Sequence, residues 1–206
     1  MVKKDWIDAL EMDGGYLCLD FINTVQGRKS SAIREVCRDM SDLIYWAANK
    51  TGHIGPRRAE AMEARAMADP GEAKAFYEGA LLLRELFYRM FLSVSEGQPL
   101  EAEDLRRFNE YVTEYFAHVR LQQSDKGCFT GWDWEMGDFH TLTAYLVKSA
   151  SDLLLSEDKL GRVKACPSCG WLFLDATKNG KRRWCSMKSC GSNAKATQYY
   201  HRKKAG

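Results

Sequence analysis

The 206-residue chain has only four prolines, so few of its segments are barred from long helices. It also lacks any apolar run near the roughly 18 residues that a membrane-spanning helix needs. No apolar stretch follows Lys3 and Lys4, so a secretory signal is not expected and a cytoplasmic location is. A nucleophile elbow, a phosphate-binding loop and a Glu-flanked histidine pair are all missing, and no enzyme activity is expected. His53 reads as a loop residue after Gly52, and His201 belongs to the basic C-terminal segment. His118 and His140 have no partner at metal-binding or catalytic spacing.

Acidic residues are almost absent from one part of the chain. Residues 159–206 carry 12 Lys and Arg but a single acid, Asp175, whereas residues 1–158 carry 18 Lys and Arg against 27 Asp and Glu. An acidic body of 1–158 followed by a basic module of 159–206 therefore lies behind a net charge of only +2. Such a split points to an anionic partner for the basic part, nucleic acid above all. A hydrophobic content of 45%, with 12% aromatics, excludes a disordered chain and supplies a core.

The body reads as mainly helical. Tyr16–Thr24 is a short apolar run after a glycine pair and suggests a buried strand, although a helix start is also open. Ser41 or Asp42 caps a helix that ends near Gly52, and Pro56 opens another through Met67 with Pro70 just beyond it. Phe76, Ala80, Leu83, Phe87, Met90 and Val94 recur at helical spacing between Glu72 and Ser95. A helix from Glu101 places Leu105, Phe108, Val112, Tyr115 and Phe116 inward. Hairpin-like segments then flank Asp125-Lys126-Gly127, and a helix over 138–155 buries Phe139, Leu142, Leu146 and Leu153.

Four of the seven cysteines fall at Cys166-x2-Cys169-x15-Cys185-x4-Cys190. Zinc takes four thiolates in a tetrahedron, and a two-residue gap lets both sulfurs of one knuckle reach a single ion. With all four donors protein-derived, no position stays open for substrate, so one structural Zn²⁺ per chain is expected. A basic segment of 48 residues also needs such a staple to hold together. Trp171–Leu174 and Arg182–Trp184 flank Asn179-Gly180, a hairpin signature, and a helix runs from Ser192 through Lys204. Knuckle, hairpin and helix describe a treble-clef-like finger, with Trp171 and Trp184 packing around the metal. The expected fold class is mainly α with a small β component (α+β). Cys18, Cys37 and Cys128 read as buried small hydrophobes.

The run Cys166-Pro-Ser-Cys-Gly-Trp-Leu-Phe-Leu-Asp175, with Lys178–Met187 and Cys190-Gly191, resembles the bacterial CGNR-type zinc finger. Leu17–Thr24 resembles the start of the ABATE domain that precedes that finger. The resemblance implies a transcription regulator linked to stress, with the finger as its DNA-binding part and Cys166, Cys169, Cys185 and Cys190 as metal ligands. The family's Asn-Arg after Cys-Gly is replaced here by Ser192-Asn193, which removes a guanidinium at position 193.

Phosphate contact is expected first from Lys178, Lys181, Arg182 and Arg183, then from Lys195, Gln198 and Arg202 along one helical stripe, with Lys203 and Lys204 at its end. Lys203 and Lys204 also suit the helix macrodipole. Gln198 and Asn193 have the chemistry to read adenine edges. One of Tyr199 and Tyr200 is expected at a surface. In the body, Asp20, Asn23 and Thr24 are candidates to line a small-molecule pocket near Trp132 or Trp134; helix capping is the plainer alternative. A homodimer is the default for a DNA regulator. The competing function is a protein-interaction module whose basic finger docks on acidic surfaces, its own body included.

Overall fold

Short polar side chains start two of the helices. Asp39 and Asp69 each accept the backbone N–H three residues ahead, from Asp42 and Glu72, satisfying donors that a helix start leaves free. The computed structural model describes residues 2–125 and 127–205, with only the backbone for Gln198, Tyr199, His201, Arg202 and Ala205. Lys126, in the expected hairpin turn, lies outside the described residues, as do the side chains of Gln198, Tyr199, His201 and Arg202.

The body begins with α1 (Asp5–Asp8), α2 (Leu17–Ile22), β1 (Val25–Gln26) and β2 (Arg34–Glu35). Then follow α3 (Met40–Asn49), α4 (Pro56–Ala68), α5 (Pro70–Ser95) and α6 (Ala102–Phe116). The hairpin β3 (Val119–Ser124) and β4 (Gly127–Trp132) leads into α7 (His140–Leu154) and α8 (Glu157–Leu160). The C-terminal module holds β5 (Val163–Ala165), β6 (Leu172–Leu174), a π-helical turn over Met187–Gly191 and α9 (Ser192–Ala205). The strands form three antiparallel pairs, β1–β2, β3–β4 and β5–β6, so the fold is mainly α with a small β component.

The 26-residue α5 is the spine, contacting α2, α3, α4, α6 and both strands β5 and β6. Trp46, Phe21, Phe87, Phe91, Phe139 and Phe173 are fully buried in one continuous core. Phe173 comes from the basic module, and Val163, Cys166, Trp171, Leu172 and Cys185 join the same core. The apolar interior thus crosses the junction at 158–159. Burial of Trp171, Leu172 and Phe173 contributes about 1.5–3 kcal/mol each.

Several expectations need correction. The suspected strand near residue 17 is the helix α2, which buries Cys18, Leu19, Phe21 and Ile22. Enclosed on nearly all sides, it shows no amphipathic period that would mark it as helical. Pro70 does not trail α4; it opens α5, with Asp69 alone between the two helices. On α6, Phe108 and Tyr115 are buried, but Leu105 and Phe116 stand 42% and 40% exposed, Phe116 covered in part by the Trp132 ring. Cys18 and Cys37 are buried, whereas Cys128 is exposed on β4. His118 and His140 each hydrogen-bond a carboxylate, Nδ1 lying 2.9 and 2.7 Å from Asp133 and Asp138, and neither joins a metal-binding cluster among the described residues.

Candidate metal centre

The first knuckle is the tight connection between β5 and β6. The Cys166 N–H donates to the Trp171 carbonyl at 2.8 Å, and the Gly170 N–H donates back to the Cys166 carbonyl at 3.0 Å. Gly170 sits at φ +82°, where a side chain is strained. The second pair comes from the other side: Cys185 precedes the π-helical turn and Cys190 lies within it. All four sulfurs fall within 4.8 Å of one another, with Cys169 to Cys185 at 3.5 Å and Cys185 to Cys190 at 3.6 Å. Thiolates about 2.3 Å from a tetrahedral ion stand about 3.8 Å apart, so the spacing fits zinc. Hydrogen bonding to the Cys166 sulfur and burial push the Cys169 thiol above its usual range. A bound dication would favour the thiolate form of all four.

Around the cysteines, the lone acid of the module proves to be an organiser. Asp175 is fully buried and accepts hydrogen bonds from Lys164 Nζ (2.7 Å), the Thr177 N–H and hydroxyl, and the Arg182 N–H (2.8 Å). Burial alone would raise its pKa, but these donors hold the carboxyl well below the usual range. Lys164 also donates to the carbonyls of Gly180 and Arg182, so it ties β5 to the segment leading to Cys185. The expected hairpin across Asn179-Gly180 is not formed. The strand paired with β6 is β5, in the register Val163↔Leu174, Lys164↔Phe173 and Ala165↔Leu172. Asn179-Gly180 does make a turn, with Gly180 at φ +59°, but no strand follows it, and Arg182 is held by Lys164 and Asp175 in place of a strand ladder.

Residues 162–203 match the CGNR zinc finger model, and residues 15–157 match ABATE, described as "putative stress-induced transcription regulator". The chain belongs to the ABATE family. No curated protein matches it. The four cysteines of its CGNR finger fit one structural zinc. No helix among the described residues is long and apolar enough to cross a membrane.

The finger is welded to the ABATE domain. Asn23 Nδ2 donates to the Leu172 carbonyl at 2.8 Å, and the Leu172 N–H donates to Asn23 Oδ1 at 3.1 Å. The Trp171 indole N–H reaches the Val25 carbonyl at 2.7 Å, and the Leu174 N–H reaches the Gly14 carbonyl at 2.8 Å. Asn23 is therefore taken up by the seam. Thr24 is buried, its hydroxyl donating to the Phe21 carbonyl and accepting from Arg84, and Asp20 accepts from the Gly14 N–H. These three candidates are engaged in internal bonds and do not come together with Trp132 or Trp134, which stack on each other beside α6 and α7. Nothing in local sequence marks Asn23 as a clamp, since its partner lies 149 positions away. A cleft of about 760 Å³ lies elsewhere, between α3, α4 and α5, with Met40, Ala66, Met67, Ala73 and Leu81 along its apolar walls.

The expected nucleic-acid contacts separate into two groups. Lys178, Lys181, Arg183, Lys195, Lys203 and Lys204 are exposed, as is Lys188, which sequence reasoning passed over. Arg182 turns inward: it donates to the Trp184 and Cys185 carbonyls, lies over the Phe173 ring and sits 3.6 Å from Asp13. Asn193 is exposed at the start of α9, while Tyr200 is 66% exposed. Trp171 packs in the core beside the metal ligands, and Trp184 lies partly covered under Arg183.

Proposed function

We propose that this ABATE protein is a cytoplasmic, non-enzymatic transcription regulator that binds duplex DNA through its CGNR finger. The observation that carries this reading is the sorting of the finger's cations. Lys164 and Arg182 are spent on Asp175 and Asp13, while Lys178, Lys181, Arg183, Lys188 and Lys195 face outward with no ion pair among the described residues. Outward, uncompensated cations on a metal-stapled frame suit phosphate neutralisation. The π-helical turn and α9 give that frame a defined edge. In this reading the ABATE domain senses a small molecule in the cleft between α3, α4 and α5, whose walls pair Met40, Met67 and Leu81 with Arg38, Glu63 and Lys74.

The competing reading, docking on acidic protein surfaces, draws support from the Arg182–Asp13 pair and the Ser189–Glu11 hydrogen bond. Those contacts occupy one cation and leave the outward face free, which favours DNA. The test is a fluorescence-anisotropy titration of duplex DNA with the full chain at several salt concentrations, repeated with Lys181→Ala/Arg183→Ala. Binding that weakens with salt, and weakens further in the variant at unchanged zinc content, supports the reading. Absence of binding at low salt overturns it in favour of an acidic protein partner.

A further inference from the structure

The acidic ABATE domain carries a positive island of its own, placed against the zinc knuckle. The loop between β1 and β2 runs from Gly27 to Ile33, and it touches the knuckle at Gly170. A Cβ on Gly170 would stand 3.1 Å from Arg28 Cβ and 3.2 Å from Lys29 Cγ. The positive φ favours glycine at position 170, and the close approach puts the loop in direct contact with the knuckle.

The carboxylates near this loop are already committed. Glu85 takes Arg28 through two bonds of 2.9 and 3.0 Å, and Arg28 also lies over the Tyr88 ring at 3.8 Å. Glu35 takes buried Arg84 through bonds of 2.7 and 2.6 Å, and Arg84 reaches Glu85 as well. Lys29 and Arg34 are left exposed, with no ion pair among the described residues. Four cations face two carboxylates here, the opposite balance to that of the domain as a whole.

The knuckle also borders a groove between the end of α5 and the finger. Pro167 of the knuckle lines it together with Lys181 and Arg183. The knuckle thus touches both the loop that bears exposed Lys29 and Arg34 and a groove in which exposed Lys181 and Arg183 outnumber the single carboxylate of Glu96. We infer that the nucleic-acid surface continues from the finger across the knuckle onto the β1–β2 loop, with Lys29 and Arg34 contacting backbone phosphates of the same duplex. This inference rests on the DNA-binding reading above. It makes the binding unit a composite of both parts, with the loop adding phosphate contacts and no base readout.

The test uses the full zinc-loaded chain and a fluorescein-labelled duplex of mixed sequence, with affinity measured across a salt series. Lys29→Ala/Arg34→Ala is compared with Lys181→Ala/Arg183→Ala and with Arg57→Ala, an exposed cation at the start of α4. Two lost phosphate contacts lower the slope of log affinity against log salt by about 1.8 and weaken binding about tenfold at moderate salt. Arg57→Ala changes neither. Circular dichroism and zinc content, unchanged in all variants, separate lost contacts from lost folding. A wild-type slope in Lys29→Ala/Arg34→Ala, alongside a reduced slope in Lys181→Ala/Arg183→Ala, overturns the composite surface and leaves finger-only binding standing. No binding by the unaltered chain overturns both.

Discussion

The Asn23 side chain pairs with the backbone of Leu172 as a neighbouring strand would, giving one hydrogen bond and taking one. This puts a carboxamide of the ABATE domain on a strand of the finger, in a setting where both partners are buried. The two parts therefore share hydrogen bonds as well as apolar core, and their stabilities are joined.

Asn23→Ala leaves the Leu172 N–H and carbonyl buried and unpaired. Each stranded group costs about 1–3 kcal/mol, so a loss of about 3 kcal/mol is expected. Urea denaturation should show a lower midpoint, and a chelator should withdraw zinc faster. An unchanged midpoint would mean that the seam contributes nothing to folding.

Removing the metal should loosen more than the finger. Phe173, Leu172 and Trp171 enter the common core from strands anchored at Cys166. Chelation, or Cys166→Ser, is expected to lower the melting temperature of the whole chain and to increase proteolysis near the Gly14 and Val25 contacts. Mass-spectrometric mapping of limited digests reads this directly. Cleavage confined to residues 176–205 would contradict it.

Arg182 and Arg183 should behave differently despite being adjacent. Arg183→Ala removes an outward cation and should reduce duplex affinity with zinc content intact. Arg182→Ala removes donors to the carbonyls of Trp184 and Cys185 and should weaken zinc retention first. A zinc-dye competition assay beside the anisotropy titration separates the two effects.

Asp20 predicts a pH signature. Burial raises its pKa to about 6, against a partial lowering by the Gly14 N–H. A carboxyl whose pKa is higher folded than unfolded favours the folded state below its unfolded value near 4, and that gain is lost as pH rises through 6. Asp20→Asn keeps an acceptor for Gly14 without the charge. It should stabilise the chain at pH 8 by on the order of 1–2 kcal/mol and have little effect near pH 4. Equal effects at both pH values would rule out titration of Asp20 as the cause.

Glu96 stands in the groove with Lys181 and Arg183, where a carboxylate opposes an incoming phosphate. Glu96→Gln should tighten duplex binding about two- to threefold at low salt, with a smaller gain as salt rises. A weaker or unaltered affinity would place the duplex away from this groove.

Sequence by itself determined the features whose causes lie close along the chain. The x2 and x4 gaps of the cysteines bring each pair within reach of one ion, and the periodic Phe76, Ala80, Leu83, Phe87 and Met90 impose the inner face of α5. Charge counting located the basic module without any geometry. Tertiary structure alone decided which way neighbouring side chains face. Arg182 and Arg183 are identical by type, and packing against Phe173 and Asp13 turns only the first inward. Asp175 could be singled out as the lone acid of a basic segment, but its four donors arrive from β5 and from the approach to Cys185. The helix α2 carried no period because nearly every side of it meets α5, α7 or β6. Local spacing fixes what neighbours along the chain can do; burial and partners 149 residues apart are settled only when the chain closes on itself.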